Sequence, residues 1–158
     1  MSQTFDLRLA HARMLAPRVR ELAFERVDGA AGAFIAGQFL QLHFGGADGV
    51  TFKRSYSIAT VAGAAANAGG LIEIAVSYVE GGAATQRLSA LAPGEIVQAS
   101  GPYGRFVLAT ADRNARYLLV ATGTGVTPYR AMLPELERLH GERGIEVVLL
   151  QGARSPDE

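Results

Sequence analysis

The hydrophobic pattern of this chain changes character once, near Asp112. Before that point apolar residues alternate with polar ones. After it, Tyr117-Leu118-Leu119-Val120-Ala121 runs apolar without a break and leads into a glycine-rich turn and a helical stripe. Alternation marks strands with one wet face, whereas a short unbroken apolar run suits a parallel strand covered on both sides. The chain is therefore expected to hold an antiparallel β unit followed by an α/β unit.

Within the β unit, residues 4–9 place Phe5, Leu7 and Leu9 on one face and Thr4, Asp6 and Arg8 on the other. Residues 18–27 alternate imperfectly, which predicts a bulge near Glu21-Leu22. Residues 39–44 put Leu40, Leu42 and Phe44 on a shared face, and residues 54–60, 71–79 and 95–100 read as further strands. The Ala- and Gly-rich stretch 61–70 has no period and reads as a long hairpin loop. Six strands at this spacing suggest an antiparallel barrel or sandwich. One helix interrupts them over 84–91, with Leu88 and Leu91 on one side and Pro93-Gly94 as its stop.

In the second unit, Met132, Leu133, Leu136 and Leu139 give a helical stripe that ends at Gly141 to Gly144, and residues 145–150 form another apolar strand. Strand, helix and strand make a βαβ unit. Two parallel strands and one helix cannot bury both faces of a sheet. The polypeptide is expected to be the front part of a longer one, the alternative being a second chain that completes the sheet. The expected division is residues 1–112 and 113–158.

Charge and composition exclude several classes of function. Fifteen basic residues balance fifteen acidic ones, so no global field recruits nucleic acid or an anionic membrane. The chain has no Cys, which rules out disulfides, thiolate zinc sites and cysteine-ligated clusters within it. His11, His43 and His140 are too scattered to suggest a metal site. The N-terminus lacks the apolar run of a signal peptide, and no stretch is long enough to span a bilayer. The expected compartment is the cytoplasm.

Four short segments carry chemistry. Arg54-Ser55-Tyr56-Ser57-Ile58 offers a guanidinium fork suited to phosphate and a flat aromatic face, although an ordinary strand with a surface Arg reads the same way. Gly81-Gly82-Ala83-Ala84-Thr85 opens the lone helix, where free N–H groups can hold an anion and Thr85 can either cap the helix or bond a phosphate. Gly101-Pro102-Tyr103-Gly104-Arg105-Phe106 signals turns. Thr122-Gly123-Thr124-Gly125-Val126-Thr127-Pro128 joins an apolar strand to a helix, the setting that dinucleotide binding requires, with Pro128 suited to a helix's first turn.

Taken in order, these segments resemble the ferredoxin–NADP reductase family over all of the chain from about Thr4 onward. The resemblance implies a six-stranded antiparallel flavin-binding barrel followed by the start of a parallel α/β nicotinamide-nucleotide domain. It implies that Arg54 faces the pyrophosphate region of FAD, that Tyr56 stacks on the isoalloxazine, and that Ser57, beside Ser55, bonds near flavin N5. Gly82, Ala84 and Thr85 would receive the pyrophosphate, the family often having Ser at the Thr85 position. Thr122, Gly123, Thr124 and Gly125, with Pro128 behind them, would line the NAD(P)H site. Only about the first third of the family's nucleotide domain is matched.

The implied reaction is hydride transfer from the nicotinamide to flavin N5, which needs two rings held face to face and no protein acid or base. Tyr56 and Ser57 are thus the expected residues at the reacting ring. FAD takes two electrons together and releases them singly, which links NADPH to a one-electron carrier such as ferredoxin or flavodoxin. With no Cys here, a cluster-bearing partner is expected to be a separate protein. NADPH is favoured over NADH because no acid closes the second parallel strand, while Arg154 lies just beyond it. The competing readings are an NADH-dependent reductase component of an oxygenase, a free-flavin reductase, and a non-catalytic flavin-binding electron-transfer subunit.

Overall fold

The computed structural model describes residues 4–46, 49–61, 70–109 and 111–155. Most of the predicted 61–70 loop lies outside the described residues. The first unit has strands β1 (Thr4–Ala16), β2 (Val19–Arg26), β3 (Phe39–Gly45), β4 (Thr51–Ser57), β5 (Ile72–Ser77) and β6 (Ile96–Tyr103), with helix α1 (Ala83–Ala90) between the last two. All neighbours pair antiparallel, in the order β4-β3-β6-β1-β2-β5. Among the described residues the two edge strands meet at a single bridge, Ile58 opposite Ile74, so the sheet curls into a barrel that is not fully closed.

Alternation dictates the core. Phe5, Leu7 and Leu9 of β1 meet Leu22 and Phe24 of β2, Leu40, Leu42 and Phe44 of β3, and Ile72, Ile74 and Val76 of β5, with Leu88 of α1 closing one side. Each such side chain contributes about 1.5–3 kcal/mol of burial. The predicted bulge is displaced. Pairing steps from Leu9 opposite Phe24 to His11 opposite Ala23 and from Met14 opposite Arg20 to Ala16 opposite Val19, so the extra residues are Ala10 and Leu15 of β1, and β2 runs regularly through Glu21 and Leu22. The broken alternation of β2 has a different cause: it is buried on both faces, Leu22 and Phe24 in the core and Glu21 and Ala23 on the other side. β4 also begins and ends earlier than the sequence suggests.

The second unit pairs β7 (Arg116–Thr122) parallel to β8 (Glu146–Gly152). A 3₁₀ turn, Gly123–Val126, runs into α2 (Thr127–Arg143). Pro128 lies in the first turn of α2, as expected. Pro134 lies inside the helix and has no N–H to give the Arg130 carbonyl. Gly144, at φ 64°, closes the helix in the left-handed conformation, its N–H donating to the His140 carbonyl at 2.8 Å. Leu119 and Ala121 are buried, Leu119 against Met132, Leu136 and Ile145 of the helical side. Leu118 and Val120 are exposed, as is all of β8. The expectation of a strand covered on both faces is therefore met on one face, because one helix covers one face.

The units meet over the Gly101–Phe106 segment. Gly37, at φ 100°, lies so near it that a Cβ there would come within 1.8 Å of the Phe106 carbonyl oxygen, and only glycine fits. The Phe106 ring meets the edge of Tyr129 of α2 with centroids 5.7 Å apart. Among the described residues no helix is long and apolar enough to cross a membrane.

Candidate functional site

Opposite residues of an antiparallel pair point to the same side. Tyr56 faces Leu40, Arg54 faces Leu42 and Phe52 faces Phe44, so Phe52, Arg54 and Tyr56 take the inward side of β3 while Ser55 and Ser57 take the other. Phe52 and Tyr56 pack against the barrel core. Arg54 stays exposed, its guanidinium 5.1 Å from the centre of the Phe52 ring and donating to the Lys53 carbonyl at 2.8 Å. Burial raises the Tyr56 phenol above its ordinary pKa, and the nearby Arg54 charge works against that rise. β4 is an edge strand, so Arg54 and Tyr56 stand at a margin of the sheet.

At the start of α1, Gly81 adopts φ 71° and Gly82 begins the helix in extended conformation. No side chain caps this end and no acid lies in its first turn. Thr85 turns its hydroxyl back to accept the Val79 N–H at 3.4 Å, so it ties down the preceding loop and leaves the helix start uncapped. An uncapped start behind two glycines suits an anion. Ala84 is buried and offers only its backbone. The other end of the helix is held by Arg20 of β2. Its Nη1 donates to the Leu88 and Ser89 carbonyls at 2.8 Å each, and its Nη2 to the Leu91 carbonyl at 3.2 Å. Sequence reading missed Arg20, since its partners lie 68 to 71 residues away and leave no local signal.

The turn after β7 holds Thr122, Gly123, Thr124 and Gly125. Gly123 takes φ 50° and its carbonyl accepts from Gln151 Nε2 at 3.1 Å. Thr127 donates to the Thr124 carbonyl at 2.6 Å, closing the turn onto α2. Pro128 is buried in that first turn.

A cavity of about 830 Å³ opens beside this turn. Thr122, Gly123 and Thr124 line it, together with Arg154 past β8, Arg13 and Arg18 of the β1–β2 hairpin, and the end of β5. The predicted residues Arg54, Ser55, Tyr56, Ser57, Gly82, Ala84, Thr85, Gly125 and Pro128 do not line it. Residues 77–79 connect the glycine turn to the start of α1. Ser77 donates to the Thr124 hydroxyl at 3.1 Å, and Val79 donates to Thr85. Neither Ser77 nor Arg130, which also lines the cavity, was singled out by the sequence. Among the described residues no cluster of His, Asp and Glu could hold a metal ion.

Comparison with known proteins bears on this arrangement. Residues 6–108 match the family described as "Oxidoreductase FAD-binding domain". The chain is 46% identical over 134 residues to Ferredoxin--NADP reductase B of Sorangium cellulosum, covering 84% of this chain and 52% of that protein. It is 35% identical over 123 residues to the Phenol hydroxylase P5 protein of Acinetobacter pittii, covering 77% of this chain and 32% of that one. In three dimensions it is similar to the cytochrome P450 reductase GcoB of Amycolatopsis, with a TM-score of 0.81 and 28% identity over 99% of this chain and 45% of the other. The chain thus spans about half the length, or less, of these relatives.

Proposed function

The chain belongs to the oxidoreductase FAD-binding domain family, of the ferredoxin–NADP reductase type, and on that premise we propose that it forms the flavin-holding part of an NADPH-dependent reductase. In this reading residues 1–112 hold FAD and residues 113–158 begin the NADPH-binding part. Electrons pass to a separate one-electron carrier, ferredoxin or flavodoxin.

One observation carries the reading: residues 77–79 touch both the α1 start, through Val79 and Thr85, and the glycine turn, through Ser77 and Thr124. A hydride crosses between the flavin ring and the nicotinamide, so those two rings must adjoin, and residues 77–79 bring the pyrophosphate end of the flavin site beside the nicotinamide turn. The residues fit the cofactor. The uncapped start of α1 at Gly82, Ala84 and Thr85 suits a pyrophosphate, the exposed Arg54 supplies a second phosphate contact, and Tyr56 at the sheet margin offers a ring face. Ser55 and Ser57 add hydroxyls on the other side of the same strand. Thr122 to Gly125, with Pro128 fixing the helix start behind them, would place the nicotinamide nucleotide, and Arg154 its 2′-phosphate. When bound, FAD supplies an acceptor for a hydride and a route for single electrons. The protein positions both partners and supplies no proton.

The full-length protein should show a flavin spectrum on purification. Arg54→Ala should weaken FAD about tenfold or more and Ser57→Ala less, because a charge-assisted bond is worth about 1.5–3 kcal/mol against about 1 for a neutral one. A colourless protein that takes up neither FAD nor FMN on titration would overturn the proposal. A second reading, the NADH-dependent reductase component of an oxygenase, draws on the likeness to the phenol hydroxylase protein and is separated from the first by coenzyme preference.

A further inference from the structure

The outer face of β2 and β5 is built unlike the outside of an ordinary barrel. Inward-pointing Leu22, Phe24, Ile72, Ile74 and Val76 leave Glu21, Ala23, Glu73 and Ala75 facing out. Glu21, Ala23 and Glu73 are nonetheless buried. Two carboxylates held away from water on an otherwise small-residue patch need partners. Arg13 of β1 bonds Glu21 through Nε and, at 3.2 Å, through Nη2. The remaining partner comes from the other unit. Arg130, in the first turn of α2, places Nη1 2.6 Å from Glu73 Oε2 and 2.6 Å from the Ala59 carbonyl, with Nη2 3.9 Å from Glu21 Oε1.

These contacts join three segments. Ala59 lies two residues past Ser57, at the end of the strand that carries Arg54 and Tyr56, and its own N–H donates to the Glu73 carbonyl at 2.7 Å. Glu73 belongs to β5, whose end reaches Thr124 through Ser77. Arg130 follows the Gly123–Val126 turn by four residues on a helix whose first turn is fixed by Thr127 and Pro128. Nη1 serves the Glu73 carboxylate and the Ala59 carbonyl together while Nη2 of the same planar fork faces Glu21, a spread that an ammonium on a single stem does not give.

We propose that Arg130 is a positioning residue that sets the spacing between the Gly123–Gly125 turn and the Tyr56–Ser57 strand end. It does so by clamping the first turn of α2 to Glu73 and to the Ala59 carbonyl. The proposal rests on the reading of the chain as a flavin reductase, since the consequence of that spacing is the distance between the nicotinamide and the flavin. Arg130 touches neither ring in this account. It holds the segments that do.

The test uses the full-length protein and three variants. Arg130→Ala leaves Glu73 buried without its cation and can cost the fold, so R130Q/E73Q, which removes both charges together, is the decisive variant; Arg130→Lys is the conservative one. R130Q/E73Q should keep the flavin spectrum and the FAD dissociation constant within about twofold. Its flavin should be reduced about ten- to a hundredfold more slowly at saturating NADPH, since misplacement of reacting groups by about 1 Å costs on that order. Arg130→Lys should recover thermal stability more than it recovers the rate. In the flavin-free protein, hydrogen exchange should rise at the Ala59 amide and across residues 124–127 and stay unchanged where β1 pairs with β6. Reduction at the wild-type rate in R130Q/E73Q, or unchanged exchange at those amides, would overturn the proposal. If the wild type takes up no flavin, the functional reading falls instead, and the exchange measurement alone decides whether Arg130 holds the segments.

Discussion

The Ser77 hydroxyl donates to the Thr124 hydroxyl at 3.1 Å, so the last residue of β5 reaches the turn that follows β7. Both groups are neutral and Ser77 is exposed, and such a bond is worth about 1 kcal/mol. Ser77→Ala should therefore raise the Michaelis constant for NADPH by up to about fivefold and leave FAD affinity unchanged in a fluorescence titration. A tenfold or larger loss of FAD affinity would place Ser77 in the flavin site rather than beside the nicotinamide turn.

Arg20 bears on stability, and in the proposed reading on flavin binding, through one helix. Its three bonds to the carbonyls of Leu88, Ser89 and Leu91 satisfy the C-terminal end of α1, which has no cap of its own. Bonds to a charged donor contribute about 1.5–3 kcal/mol. Arg20→Ala should lower the thermal midpoint by about 3–12 °C, given about 2–4 °C per kcal/mol in a domain of this size. Exchange at the amides of residues 86–90 should rise in the same variant. A midpoint within 1 °C of the wild type, about the error of the measurement, would show that water replaces Arg20 at that helix end.

Tyr56 links pH to stability. Burial holds its phenol neutral above the ordinary value of 10.0, so the folded chain keeps a proton that the unfolded chain has released. Native protein then binds more protons than unfolded protein, and stability falls as pH rises past about 10, until the folded group ionises as well. Arg54 opposes this rise. In flavin-free protein, Arg54→Ala should move the Tyr56 titration further up, read as the ultraviolet difference between each protein and its Tyr56→Phe counterpart. An unchanged titration, or a downward shift, would mean that the Arg54 charge does not hold the phenol down. With FAD bound, Tyr56→Ala should brighten flavin emission that stacking quenches in the wild type, and bright wild-type emission would mean Tyr56 is merely a barrel residue.

What the sequence could show depended on the range of the interaction. The inward faces of β1 and β3 were legible because alternation repeats every second residue, and Phe5, Leu7, Leu9, Leu40, Leu42 and Phe44 all lie in the core. The change to a parallel pair after Asp112 was legible from the unbroken run in β7. The bulge was misplaced because double-sided burial of β2 breaks alternation in the same way as an inserted residue. Its outer cover comes from Arg13 of β1 and from Arg130, the latter more than a hundred positions later than Glu21. Long separation in sequence also hid Arg20 and Ser77, whose partners are 68 to 71 and 47 residues away. The Thr85 hydroxyl had two local readings, helix cap or phosphate ligand, and its bond to the Val79 N–H is a third.

In the proposed reading Arg154 decides between coenzymes. It lines the cavity beside Thr122, Gly123 and Thr124, just past the end of β8, where the adenine ribose sits in folds of this kind. β8 ends at Gln151-Gly152 rather than at an acid that would bind the ribose hydroxyls and repel a 2′-phosphate. A 2′-phosphate brings about two negative charges and several acceptor oxygens, which suit a guanidinium. Loss of one charged hydrogen bond, about 1.5–3 kcal/mol, corresponds to about ten- to a hundredfold in affinity. Arg154→Ala in the full-length protein should raise the Michaelis constant for NADPH by about that factor and leave NADH nearly unchanged. The gap between variant and wild type should shrink as salt is added, because an exposed charge pair is screened. Equal losses with both coenzymes would show that Arg154 does not read the phosphate. A wild type that prefers NADH would remove the assignment before any variant was made, and would favour the oxygenase-component reading in its place.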